Sequence, residues 1–172
     1  MIFNLFRKSA PDAAVYSAYN FIVAQSRQPR FYADWGVPDT VTGRFDMISL
    51  HLALLLRRLK ADESAKGFGQ QLVNLFFSDM DRSLREMGVG DLSVPKKIGN
   101  MGKLFYGTLN ALDESLTSTD AAALEPMLVR NIYGGTANPG AAALAGHLRA
   151  EAAALELRPV KSLLAGDLGV AA

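Results

Sequence analysis

Residues 36–60, GVPDTVTGRFDMISLHLALLLRRLK, limit what this chain can fold into more than any other stretch. The segment opens as a turn: Pro38 fixes its own φ, and Asp39, Thr40 and Thr42 are each able to cap a helix N-terminus. From Arg44 onward, placing residues at about 100° intervals puts Phe45, Ile48, Leu52, Leu55, Leu56 and Leu59 on one face. Met47, Leu50 and Leu54 make a second apolar face, and Asp46, Arg57 and Lys60 form the main polar side. Apolar surface on two sides requires a central helix with neighbours on both.

Arg44, His51 and Arg58 fall between those faces. They recur every seven residues, so they stack on one line about two turns apart. A charge flanked by packed neighbours is costly unless it is paired. Two readings are open: acidic partners reach this line from elsewhere, or the side chains extend to water. Asp79 and Glu86 are the best internal partners, because both lie along the edge of an apolar helical stripe formed by Phe68, Leu72 and Phe76.

The 172 residues suffice for one domain with a real core, and 49% hydrophobic with 20% charged residues suits a globular chain. A net charge of +1 gives no global field for nucleic acid, so DNA is not an expected partner. With no cysteine there are no disulfides, thiolate ligands or cysteine nucleophile. No apolar run approaches the roughly 18 residues that cross a bilayer. The opening residues MIFNLFRKSAPD are too short and wrongly ordered for a secretory signal. Two readings remain for them: contact with a membrane surface, or a frayed end docked on its own domain.

In chain order, residues 1–11 read as a flexible segment. A first helix over 12–25 carries Val15, Ala18, Tyr19, Ile22 and Val23 on one face. Residues 26–36 read as an extended loop broken by Pro29 and holding Phe31, Tyr32 and Trp35. After the central helix and a polar connection over 61–65, a long helix spans 66–87, with its start drawn toward Gln70 by Gly67 and Gly69. Asp81 and Arg85 make an i,i+4 surface pair on it. Gly88 and Gly90 end it. Ser93 and Pro95 open the next helix, which runs to about Leu116 with Lys96 and Lys97 in its first turn. A helix to Tyr133, reset at Pro126, and an Ala-rich helix to about Leu157 follow. Residues 158–172 read as a partly disordered tail. Every periodic segment is helical, so the expectation is an all-α, irregular bundle of about six or seven helices, with residues 12–157 as its single domain.

Catalytic and cofactor motifs are missing. His51 and His147 lie far apart and belong to no HxxxH or HExxH, so neither a zinc site nor any cofactor is expected. There is no phosphate loop and no GxSxG elbow. Asp79 and Asp81 point to different helix faces, so they cannot act as a dyad.

Two long strings carry a resemblance. AQSRQPRFYADWGVPDTVTGRFDMISLHLALLLRRL and FFSDMDRSLREMGVGDLSVPKKIGNMGKLFYG resemble the ubiquinol–cytochrome c chaperone family, over about residues 16–133. The N-terminal dozen residues and the Ala-rich C-terminal part lie outside that resemblance. Mitochondrial members carry a long targeting region that is absent here, so the resemblance implies a bacterial member. It further implies a helical, non-enzymatic assembly factor for respiratory complex III that binds newly made cytochrome b. A small partner protein and the ribosome are implied as companions, in the cytoplasm with peripheral contact at the inner membrane. Carried onto this chain, the motif residues Tyr32, Arg44, Asp46, His51, Asp79, Asp81, Arg82, Arg85, Glu86, Asp91 and Lys96 become candidates for partner binding. Physically the set divides. Arg44, His51, Asp79 and Glu86 suit a fold-holding network, whereas Asp81, Arg82 and Arg85 suit an exposed surface.

A client of that kind exposes apolar helices before assembly, so its chaperone needs an apolar groove with a polar rim. Met47, Met80, Met87 and Met101 are candidates for adaptable contacts there. Two other readings compete. One is a ribosome- or RNA-contacting protein using Arg27, Arg30, Arg57, Arg58, Lys60, Lys96 and Lys97. The other is an enzyme that depends on His51.

Overall fold

A computed structural model describes residues 12–169. Among them are α1 (Ala13–Ser26), α2 (Pro29–Ala33), α3 (Val41–Leu59), α4 (Lys66–Glu86), α5 (Val94–Thr117), α6 (Leu124–Asn131), α7 (Gly140–Glu156) and α8 (Val160–Leu164), with a 3₁₀ turn at Glu63–Ala65. No strand occurs among the described residues. Six of the helices have eight residues or more, as expected for an irregular all-α bundle; α2 and α8 are single turns. The segment 1–11, with its expected flexibility and membrane contact, lies outside the described residues.

α3 is the axis, and α1, α4, α5 and α7 all pack against it. Its two apolar faces enter two separate cores. Phe45, Ile48, Leu52, Leu55 and Leu59 join Val15, Ala18, Tyr19 and Ile22 of α1, Leu72 and Phe76 of α4, and Phe105 of α5. Met47, Leu50, Ala53 and Leu54 join Phe31, Val37, Leu124 and Leu128 of α6, and Leu144 and Leu148 of α7. Burying each such leucine stabilises the fold by about 1.5–3 kcal/mol, so each face of α3 is strongly held.

Two glycines set how the chain enters this arrangement. Thr40 caps α3, its hydroxyl accepting from the Gly43 amide at 3.1 Å. A Cβ on Gly43 would collide with the Pro38 carbonyl, so the turn closes only over a glycine. At the start of α7, a Cβ on Gly140 would strike the Trp35 carbonyl in the same way. Tyr133 donates to that carbonyl at 2.9 Å, joining the chain after α2 to the chain before α7.

Three expectations need correction. Residues 29–33 form helix α2 instead of an extended loop, because Pro29 starts a helix as readily as it breaks one. α4 starts at Lys66, with Gly67 and Gly69 inside it; the preceding 3₁₀ turn, capped by the Asp62 side chain, nucleates the helix. Over 158–169 the tail is held down, because α8 buries Leu163 and Leu168 follows it into the first core.

Candidate functional site

Three places in the fold gather the residues that the sequence singles out. The first is the flank of α4 and its turn into α5. Asp79 accepts from the Tyr19 hydroxyl at 2.9 Å and pairs with Arg82. Burial, reinforced by the Asp79 charge, drives the Tyr19 phenol far above its ordinary pKa, so it stays a donor. Arg82 reaches Glu86 at 3.9 Å, Arg85 holds Asp81 at 2.7 Å, and Arg85 also pairs with Asp91 beyond the turn. Lys96 is exposed at the start of α5. This ladder faces water, and exposed pairs of its kind contribute only about 0–1 kcal/mol each to folding. At its end Met87 is 51% exposed and Leu92, inside the motif turn, is 98% exposed.

The second place is a cleft between α2 and the turn into α3, lined by Arg27, Pro29, Tyr32, Ala33, Asp39 and Arg44. Tyr32 donates to the Ser26 carbonyl at 2.8 Å, and burial raises its pKa. Arg44 pairs with Asp39 at 2.8 Å in water, both side chains more than half exposed.

The third lies under α2. Phe31, Trp35, His51 and His147 form one aromatic cluster, with Phe31 centred 5.6 Å from His51 and 5.0 Å from His147. The Arg30 guanidinium lies 5.4 Å from the centroids of both Phe31 and Trp35. Glu151 of α7 completes the cluster, 3.5 Å from His51 and 3.4 Å from His147. Burial holds His51 down at about 4. Burial, then the neighbouring His51 and Arg30, hold His147 at about 4 as well. Burial lifts Glu151 to about 7. Both imidazoles are therefore neutral near pH 7.

The structure overturns the expected Arg44–His51–Arg58 network with Asp79 and Glu86. Arg44 finds Asp39, and His51 finds Met47 and Glu151. Arg58 donates to the Leu155 and Arg158 carbonyls at 3.0 and 2.9 Å, capping the end of α7. Asp79 and Glu86 turn to Arg82, on their own helix. The reason is geometric: i,i+3 and i,i+4 partners were already within reach. Asp46, placed by periodicity on the polar side, is only partly open to water, and burial alone lifts its pKa to about 6. The sequence reading also missed the approach of His147 to His51. The only local sign is the i,i+4 spacing of His147 and Glu151, which places both on one face of α7.

An apolar groove of about 350 Å³ runs between the end of α3, the start of α4 and the second half of α5. Leu56, Leu59, Val73 and Leu109 line it, Tyr106 stands beside them 53% exposed, and Arg57, Lys60, Lys66 and Asp113 lie at its edge. Arg57 and Lys60 each reach Asp113 at 3.1 Å. The basic residues considered for RNA do not share a face. Arg30 lies against the aromatic cluster, and Lys96 starts α5 about 25 Å along the helix from Asp113. Of the four methionines considered for client contact, Met47 and Met80 are buried, Met101 is partly buried, and Met87 is the one exposed.

Among the described residues the fold is a helical bundle with an apolar groove, charged at its edge. The comparisons give the family. The ubiquinol-cytochrome C chaperone family matches residues 33–171, and this chain belongs to it. The match extends through the Ala-rich C-terminal part, which the resemblance had left out. The crystal structure of the Cbp3 homolog from Brucella abortus superposes with a TM-score of 0.83 at 40% identity, covering 91% of this chain and 88% of that one. Ubiquinol-cytochrome-c reductase complex assembly factor 1 of Xenopus laevis is 26% identical over 115 residues, 64% of this chain. This chain spans 58% of the length of that relative.

Proposed function

We propose that this protein is a non-enzymatic chaperone that receives newly made cytochrome b and holds it for assembly into ubiquinol–cytochrome c reductase. The observation that carries the reading is the groove between α3, α4 and α5. Its lining is apolar, its edge is charged, and its walls come from helices that hold both of the motif strings. An unassembled membrane helix needs such a surface: apolar contact for its side chains, and charge at the margin to keep the complex in solution. Family membership and the name of the Xenopus relative support the reading.

The exposed ladder Asp81, Arg82, Arg85, Glu86 and Asp91, with Lys96 and the protruding Leu92, is the second contact surface. It suits the small partner protein or the ribosome, because its charges cost the fold little and remain available. Among the described residues no helix is long and apolar enough to cross a membrane.

The test is deletion of the gene in a host that makes this reductase. Loss of cytochrome b and of assembled complex, restored by the intact gene, is the expected result. Unchanged levels would end the proposal.

A further inference from the structure

The cluster under α2 offers more than a packed histidine pair. We propose that His51, His147 and Glu151 bind one divalent transition cation of the zinc type. The ligand atoms of the three residues lie within 4.8 Å of one another. Tautomer is the first argument. His51 Nδ1 sits 2.7 Å from the Met47 carbonyl, which only accepts, so Nδ1 carries the proton and Nε2 presents a lone pair. That nitrogen is buried without a hydrogen-bond partner, on a side chain only 3% exposed. His147 Nε2 is also buried and unpartnered. A bare lone pair of this kind is costly unless something electrophilic meets it.

Spacing is the second argument. The nitrogen-to-carboxylate distances of 3.5 and 3.4 Å are too long for good hydrogen bonds. They run to different oxygens, His51 to Oε2 and His147 to Oε1, so Glu151 would hold the ion through both oxygens. Each oxygen lies near one ligand-to-ligand edge from its nitrogen, about 3.3 Å for ligands about 2.05 Å from zinc. Two imidazoles and a carboxylate suit that ion, and the Met47 carbonyl supplies the outer partner that orients a metal-bound histidine. Two nitrogens and a two-oxygen carboxylate leave a fifth position open. A cavity of about 260 Å³ that includes His51, Glu151 and Gln25 in its wall gives room for a water in that position. Arg30 opposes a cation here, and the Glu151 carboxylate offsets its charge.

The experiment uses the whole purified chain, stripped with chelator and titrated with zinc chloride by calorimetry, then with cobalt(II) under visible absorption. One equivalent of zinc and the d–d bands of a four- or five-coordinate cobalt site are expected. Glu151→Gln and His147→Gln should each weaken binding more than the 10–100-fold typical of losing an outer partner. No heat and no cobalt bands in the wild-type protein would overturn the site, and a proton shared between Glu151 and the histidines would then fill its place. Unchanged affinity in either folded variant would overturn it too, as adventitious surface binding. If both variants fail to fold, the wild-type cobalt spectrum decides alone. Tetragonal, all-water or absent bands would count against the site.

Discussion

The layer under α2 and the ladder along α4 handle charge in opposite ways. Under α2, Glu151 and two histidines are set among aromatic rings, where burial pushes every pKa toward the neutral form. Along α4 and the turn after it, Asp79, Asp81, Glu86 and Asp91 pair with Arg82 and Arg85, three to six residues away, and all but Asp79 do so in water. Buried polar groups are expensive, so they remain only where a specific partner or ligand compensates them. Exposed pairs cost and contribute little, so their pattern is free to follow a partner's surface. The α4 ladder carries little of the fold's stability, which is why we read it as a contact surface and not as part of the fold's support.

The largest effect should come from the buried side. Phe31→Ala removes a fully buried ring that touches both histidines, and should cost about 3–5 kcal/mol in a urea melt. A loss below about 1 kcal/mol would mean that the α2 layer is not packed as described.

Asp46 tests the electrostatic half of the contrast. Its carboxyl rises from 3.8 in the unfolded chain to about 6 in the folded one. Between those values the folded state keeps a proton that the unfolded state has released. The stability linked to that proton is therefore complete below about pH 4 and lost as pH rises through about 6. Conversion at about 1.4 kcal/mol per unit gives an upper bound of about 3 kcal/mol, which partial contact with water reduces to about 1–2. Asp46→Asn should raise the melting temperature at pH 7.5 and leave it nearly unchanged at pH 4. An equal shift at both pH values would contradict the burial of this carboxyl.

Much of the α3 axis was legible in the sequence. Its leucines repeat with helical period on two faces, Thr40 stands where a cap belongs, and Asp81 and Arg85 are spaced to pair. Those features are local, and local features can be read from spacing. The α2 turn has too few residues to show a period. The tail helix is held by packing, because Gly166 fits closely against Ala14 of α1 and Leu163 enters the core. The pairing of α3's arginine and histidine line was misread because the partners chosen, Asp79 and Glu86, had nearer cations on their own helix. His147 meets His51 only after α7 has packed across α3, and no spacing along the chain encodes that approach.

On the exposed side, Arg85→Ala should change stability by less than about 1 kcal/mol, since its partners Asp81 and Asp91 stay in water. Leu92→Ser should change it even less, because that side chain touches almost nothing. Both should nevertheless weaken binding to a partner, read as lost co-purification from a detergent-solubilised membrane fraction. A folded Leu92→Ser protein that keeps all its partners would remove the motif turn from the contact surface.

The most direct measurement places a photo-crosslinking amino acid at Tyr106 in the groove wall, and in a separate variant at Glu125 on the exposed side of α6, in cells making cytochrome b. The account predicts a crosslink to newly made cytochrome b from position 106 and none from 125. Equal crosslinking from both positions, or a crosslink from 125 alone, would contradict it.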